Sequence, residues 1–280
     1  MELIHSVEKM QTRAHELKRA GKSIALVPTM GAFHEGHLSL MREGRKSADV
    51  LLVSLFVNPA QFGQDEDFER YPRTLEHDRQ LAKEIGVDII FAPHDEDMYP
   101  SGYKTYVTVE SMSRNLCGIS RPTHFRGVTT IVLKLLNIAQ PDVAFFGWKD
   151  AQQFLILKKM VEDLNLPVKM AGLPIVREPD GLAMSSRNRY LNPEERKDAL
   201  SLYKALQVVE SLIEKGEDNC ETLKNKMKKI ITGEPTARID YIEIVSMTTL
   251  EPITRIEKGN TLIALAVYTG ATRLIDNIRV

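Results

Sequence analysis

Charge of one sign is what this chain most lacks: 37 Lys plus Arg stand against 38 Asp plus Glu, a formal net charge of −1. So close a balance provides no basic surplus for a nucleic-acid backbone or an anionic membrane surface. The expected partners are therefore small molecules, with no nucleic acid and no membrane. Cysteine is scarce as well. Cys117 and Cys220 lie far apart and match no metal spacing, which excludes a disulfide framework and leaves two reduced thiols as the expectation. No apolar run approaches the roughly 20 residues that span a bilayer. The opening stretch Met1–His5 has neither the basic segment nor the apolar run of a secretory leader, so a soluble, cytoplasmic protein is expected. Repeats, low-complexity tracts and Gly/Ser linkers are also missing, and 280 residues suggest about two packed domains.

What is present is alternation. Short apolar runs at Ile24–Val27, Val50–Val57, Val87–Phe91, Val143–Phe146 and Val168–Val176 are interleaved with helix-period segments at Leu38–Ala48, Phe68–Ile85, Val128–Ala139 and Ala151–Leu164. Continuous apolar strands separated by helices predict an α/β domain over residues 1–175, a Rossmann-like parallel sheet covered on both faces. After residue 176 the pattern changes. Asn192-Pro193-Glu194-Glu195 starts a helix over Pro193–Lys215, a second follows over Glu217–Ile231, and strands are expected at Arg238–Val245, Thr261–Tyr268 and Arg273–Ile278. Helices grouped before strands suggest a smaller α+β domain over 176–280, with residues 174–192 joining the two and contributing to the site.

In such a sheet ligands gather at the carboxyl ends of the strands, and the chemistry-bearing residues fall there. Pro28-Thr29-Met30-Gly31-Ala32-Phe33-His34-Glu35-Gly36-His37 carries the first strand into a helix. A helix start offers unpaired N–H groups and partial positive charge to a phosphate, and the imidazoles add donors that follow charge as it moves. A zinc-protease reading fails because that motif needs its histidines four apart, and here they are three apart. Plain helix capping is the bland alternative for His34 and His37; against it stand Gly31 and Gly36, which would let a ligand approach the backbone.

Three further stretches join them. Ala183-Met184-Ser185-Ser186-Arg187-Asn188 pairs two hydroxyls with a guanidinium, a set able to wrap a polyphosphate. In Phe146-Gly147-Trp148-Lys149-Asp150-Ala151-Gln152-Gln153, Lys149 can meet phosphates as a mobile point charge, while Asp150 could cap the next helix, orient Lys149 or contact a ribose. In Phe56-Val57-Asn58-Pro59-Ala60-Gln61-Phe62, Gln61 and Gln153 could converge as neutral amides on a hydroxyl-rich substrate. The alternatives are a solvated lysine at 149 and a plain Asn-Pro turn with Gln61 exposed.

The pairing of His-x-Gly-His with Met-Ser-Ser-Arg resembles the signature motifs of the nucleotidyltransferase superfamily, which includes class I aminoacyl-tRNA synthetases. The wider set Pro28–Leu40, Phe56–Gly63, Tyr71–Thr74, Arg121–Val128, Phe146–Gln153, Met184–Asn188 and Thr269–Asp276 is more specific. Over nearly the whole length it resembles the pantothenate synthetases, the pantoate–β-alanine ligases. That resemblance implies a C-terminal lid domain, a homodimer, Mg²⁺-ATP as co-substrate, a pantoyl adenylate intermediate and a place in coenzyme A biosynthesis. It implies that His34 and His37 face the triphosphate, and that Lys149, Ser185, Ser186 and Arg187 hold its β/γ end. Met30–Gly31 and Val176 would contact pantoate and nucleotide through the backbone, within an ATP site extending over Met30–His37, Gly147–Asp150 and Met184–Arg187. Gln61 would bind pantoate and β-alanine, Gln153 pantoate, and Asp78 would lead to Mg²⁺; Arg121 could reach across a dimer or into the phosphate site, with His124 in the same loop. Adenylyltransferases that keep the nucleotide in their product typically place Asp-Pro before this histidine motif, whereas Phe33 abuts His34 directly. A tRNA synthetase lacks room for an anticodon module here. A non-catalytic regulator on the same sheet would have lost histidines or the Ser-Arg pair, and none is missing.

Overall fold

The computed structural model describes residues 1–63 and 66–280. Six parallel strands form the main sheet: β1 (Glu2–Ile4), β2 (Ile24–Thr29), β3 (Val50–Leu55), β4 (Ile89–Phe91), β5 (Val143–Gly147) and β6 (Lys169–Leu173), in the order β1-β4-β3-β2-β5-β6. The helices between them are α1 (Val7–Arg19), α2 (Glu35–Ser47), α3 (Leu75–Ile85), the single turns α4 (Asp95–Met98) and α5 (Cys117–Ser120), α6 (His124–Ala139) and α7 (Ala151–Asp163). Period-two alternation sends Ile24, Leu26, Leu52 and Phe91 to one face, where they pack with residues of α1, α6 and α7. Ala25, Val27, Leu51 and Val53 go to the other face with residues of α2 and α3. Both faces are thus buried, which is why the strands read as unbroken apolar runs.

The chain builds outward from β2 in both directions, so β2 and β5 are neighbours without being consecutive. Their carboxyl ends form the switch point where open parallel sheets leave a crevice.

The remainder is α8 (Pro193–Glu214), α9 (Cys220–Ile231) and an antiparallel sheet of β7 (Ala237–Ser246), β8 (Thr261–Thr269) and β9 (Thr272–Arg279). One face of this sheet packs on α8 and α9 through Ile244, Ile263, Leu265 and Leu206. The other brings Val245, Leu262 and Ala264 against Cys117, Phe125, Leu155 and Ile156. The small sheet therefore lies between its own helices and the flank of the larger unit.

Several boundaries differ from the sequence reading. The stretch Phe68–Thr74 is not helical and α3 begins at Leu75, because the residue before Pro72 is biased out of the helical region. The last strand of the main sheet stops at Leu173, ahead of Pro174. β1 and α1 were not expected; β1 is three residues long and pairs with β4, too short to show a period. Among the described residues no helix is long and apolar enough to cross a membrane.

Candidate active site

A cavity of about 250 Å³ opens at the switch point. Its wall draws on Met30, His34, Gly36 and His37 after β2, Gln61 after β3, Gly147, Lys149, Asp150 and Gln153 after β5, and Val176 and Met184–Arg187 beyond β6. Segments more than a hundred residues apart in sequence thus meet where the strand ends point.

The first loop is held in a costly conformation. Gly31 has φ +84° and Ala32, a residue with a Cβ, has φ +51°; left-handed backbone at a non-glycine residue persists only where its surroundings enforce it. The enforcing group is Asp78, fully buried at the start of α3. Its carboxylate accepts the N–H groups of Ala32 (2.9 Å) and Phe33 (2.8 Å) and the Thr74 hydroxyl (3.1 Å). Both oxygens of Asp78 are so engaged, and the carboxylate clamps the turn from outside the cavity wall. The same bonds turn the Ala32 and Phe33 N–H groups toward Asp78, and their side chains lie in the core, outside the cavity wall. Glu35 is exposed and paired with Arg42, so it too lies outside the wall.

The turn then caps α2 in an unusual way. The Gly36 N–H donates to His34 Nδ1 (3.2 Å) and the His34 N–H points at His37 Nδ1 (3.4 Å). Accepting at Nδ1 places the proton of each neutral imidazole on Nε2. Capping and catalysis are therefore not alternatives here, because the cap selects the tautomer whose remaining N–H is free. The rings lie 4.1 Å apart, and a Cβ on Gly36 would come within 2.9 Å of the His34 ring. This glycine makes room for a side chain of the protein, where the sequence suggested room for a ligand.

Both rings are neutral at pH 7. Burial lowers His34 to about 4, aided by the Lys149 charge. Burial likewise lowers His37 to about 3, helped by His34 and then Lys149.

Gln61 is buried, not exposed on a turn. Asn58 Nδ2 donates to its carbonyl oxygen (3.1 Å) and its own Nε2 lies 3.0 Å from Met30 Sδ; Asn58 also donates to the Gly127 carbonyl and accepts from Tyr99. Gln153 reaches the same cavity from the first turn of α7. Gln152 faces the other way, gripping Cys117 N–H and the carbonyls of Met112 and Asn115. Phe56, Val128, Ile131, Val132 and Leu135 supply an apolar floor beside the amides.

Lys149 sits in a single-turn helix (Trp148–Asp150) whose carbonyls at Trp148 and Lys149 accept from Asn277 Nδ2 at 2.9 and 3.0 Å. The small sheet therefore sets the height of the cation. Asp150 makes no side-chain cap on α7, which removes that alternative; its carboxylate lines the cavity. Trp148, placed by the sequence in the ATP site, is turned away from the cavity and packed on Phe154 under the Arg279 guanidinium.

The Met184–Arg187 stretch is delivered by a tight excursion in which Met184 N–H donates to Val176 O (3.0 Å) and Arg177 bridges Ala183. Arg177 binds buried Asp276 of β9 through two N–H groups, at 2.6 and 3.0 Å. Ser185 Oγ accepts the Arg187 N–H (3.3 Å), capping a short helix over Ser186–Tyr190. Arg187 itself meets Asp67, and Tyr71 OH lies 3.5 Å from Ser186 Oγ.

Arg121 and His124 are more central than the sequence suggested: both line the cavity, and both bond the Gln61 carbonyl, at 3.3 and 2.9 Å. Arg121 reaches this wall within its own chain and is held by Glu66. Sequence reasoning missed Asn58 as a support of Gln61, and missed Asn277, Glu66 and Asp67 altogether. These act across gaps of up to 129 residues, and no local pattern marks them.

A family model described as pantoate-beta-alanine ligase matches residues 2–279. A pantothenate synthetase of Moorella thermoacetica is 54% identical over 278 residues, covering 99% of this chain and 98% of its own length. One from Geobacter sulfurreducens is 54% identical over 279 residues, with the same coverage of each. The crystal structure of pantothenate synthetase from Thermus thermophilus superposes with a TM-score of 0.93 at 41% identity, covering 100% of this chain and 99% of that one. A pantoate-beta-alanine ligase from Francisella tularensis, solved in complex with beta-gamma ATP and beta-alanine, gives 0.80 at 34% identity over 100% and 97% of the two chains. The chain belongs to the pantoate–β-alanine ligase family.

Proposed function

We propose that this chain joins pantoate to β-alanine by way of a pantoyl adenylate, with ATP as the activating substrate. The observation that carries this reading is the composition of one cavity: neutral imidazoles, a lysine, two serines and an arginine lie beside two amides and an apolar floor. Pantoate presents a carboxylate, two hydroxyls and a carbon bearing two methyl groups. Gln61 and Gln153 suit the oxygens and the floor suits the methyls. Among the described lining residues only Asp150 is anionic, against Lys149, Arg121 and Arg187, cations able to meet a triphosphate. The Francisella relative, solved with beta-gamma ATP and beta-alanine, supports the same assignment of ligands.

A carboxylate does not condense with an amine in neutral water because its leaving group is poor. In the first step a pantoate carboxylate oxygen bonds to the α-phosphorus while the bond to the bridging oxygen breaks and pyrophosphate departs. In the second, the β-alanine amine attacks the acyl carbon, AMP leaves with the bonding electrons, and the amine loses a proton. Catalysis of the first step is positioning plus stabilisation of spreading negative charge. The Nε2–H groups of His34 and His37 donate toward the phosphates, and phosphate charge raises their basicity as it builds up. Lys149, Ser185, Ser186 and Arg187 take the departing pyrophosphate. Asp150, a carboxylate of the cavity wall, would hold an Mg²⁺ brought in with the triphosphate, and the ion would supply neutralisation of phosphate charge. In this reading residues 1–175 bind the substrates, 176–280 close over them to keep water from the adenylate, and the enzyme works as a homodimer.

Steady conversion of ATP to AMP that requires both pantoate and β-alanine tests the reading, together with ATP–pyrophosphate exchange that requires pantoate alone. Exchange without pantoate, or a nucleotide retained in the product, would overturn it. His37→Ala should slow the exchange by about 10²-fold or more, the scale of a positioned proton donor; unchanged exchange removes His37 from the chemistry.

A further inference from the structure

Two acidic side chains on the segment after Gln61 each lie side-on to an arginine of the cavity wall. Arg187 Nε and Nη2 donate to Asp67 at 3.1 and 2.8 Å, and Arg121 Nε and Nη2 donate to Glu66 at 2.7 and 2.5 Å. A carboxylate in this arrangement takes the same two N–H groups that phosphate oxygens take, so one edge of a guanidinium cannot serve both.

The two pairs differ in what else holds the arginine. Arg121 also donates to the Gln61 carbonyl and contacts His124 Nε2, so it is built into the wall whatever Glu66 does. The Arg187 guanidinium bonds no described residue besides Asp67. The Asp67 side chain is only 16% exposed, and Arg187 pulls its carboxyl below the usual range against the opposing effect of burial. A half-buried ion pair of this kind gives little net stability, because desolvation offsets most of the attraction. It is a contact that a better anion can exchange.

We propose that Asp67 is an internal placeholder for an anionic ligand: it occupies the Nε/Nη2 edge of Arg187 in the resting enzyme and yields that edge to the pyrophosphate moiety of the nucleotide. This rests on the reading of Arg187 as a contact of the β/γ end. The placeholder keeps the guanidinium inside the cavity and makes triphosphate entry coincide with loss of a bond between the segment carrying Asp67 and the Met184–Arg187 stretch. Tyr71–Ser186 and Tyr190–Arg70 contacts join the same two segments and hold them in register when the ion pair opens.

Titration calorimetry of pyrophosphate into the full-length enzyme, using wild type, Asp67→Asn, Asp67→Ser and Arg187→Met, decides the matter. Removing the competing charge should tighten pyrophosphate binding by about 10-fold in both Asp67 variants, the size of one modest charge-assisted contact, and should lower KM for ATP. Arg187→Met should weaken binding by a similar factor, and Asp67→Asn should have no effect on top of it. Weaker or unchanged binding in both Asp67 variants, alongside a loss in Arg187→Met, would make Asp67 a residue that merely aims the arginine and would overturn the placeholder. Unchanged binding in Arg187→Met would instead refute the assignment of Arg187 to pyrophosphate on which the proposal stands.

Discussion

His34 and His37 are poor bases by construction. Desolvation, and then the neighbouring positive charges, lower them to about 4 and about 3, and His124 is lowered by burial to about 4. An unfolded chain takes up these protons below about pH 6.5, whereas the folded enzyme does not until far lower pH. The stability they contribute is therefore complete above pH 6.5 and lost as pH falls from there toward 3–4. Thermal melts should show Tm falling steadily between pH 6.5 and 4.5, and a His34→Gln/His37→Gln double variant should show a flatter profile over that window. Equal slopes would mean that the imidazoles are not held neutral. That these two residues matter was readable from their spacing and glycines. Their tautomer was not, because it is set by where two backbone N–H groups point.

Among the elements, the contact of α6 with the Pro59–Gln61 turn is a close-packed support of the Gln61 end of the cavity. A Cβ on Gly127 would lie 2.2 Å from the Ala60 carbonyl oxygen and 2.6 Å from the Gln61 nitrogen, both backbone atoms that cannot swing aside. Gly127→Ala should therefore push the turn away, costing about 1–3 kcal/mol in urea denaturation as an overpacked contact does. By moving Gln61, it should reduce kcat/KM for pantoate by at least about 10-fold, with a smaller change in KM for ATP. An equal loss for both substrates would mean that the whole cavity, and not the pantoate end, had shifted. Gly127 figured in the sequence only as part of the matching stretch Arg121–Val128. The need for glycine at 127 arises from a helix meeting a turn 66 or more residues earlier in the chain, which no local period encodes. Helix starts fared better where a cap and a following Glu stood together: Asn192, Pro193 and Glu195 form the capping box they suggest. The expected helix at Phe68 failed because apolar spacing outweighed the meaning of Pro72.

For the molecule as a whole, the small sheet is the support of the end of the cavity that carries Lys149 and Met184–Arg187. Asn277 fixes the carbonyls beside Lys149, and Asp276 next to it anchors Arg177 at the base of the Met184–Arg187 excursion. Two adjacent residues of one strand thus tie together the two cationic arms of the cavity. If 176–280 closes during the reaction, hydrogen exchange of residues 184–190 should slow when ATP and pantoate are both present. Unchanged protection there would sink the lid. The sequence by itself determined the doubly covered parallel sheet, the change of pattern after residue 176 and the histidine, lysine, glutamine and Ser-Arg stretches, because periodicity, caps and short motifs are local properties of a chain. Only the tertiary structure decided that Asp78 clamps a left-handed turn, that Trp148 and Glu35 turn away from the cavity, and that Asn277, Glu66 and Asp67 belong to its support. Those roles depend on which distant atoms a buried carboxylate, amide or guanidinium meets, and burial leaves such groups no solvent to meet instead.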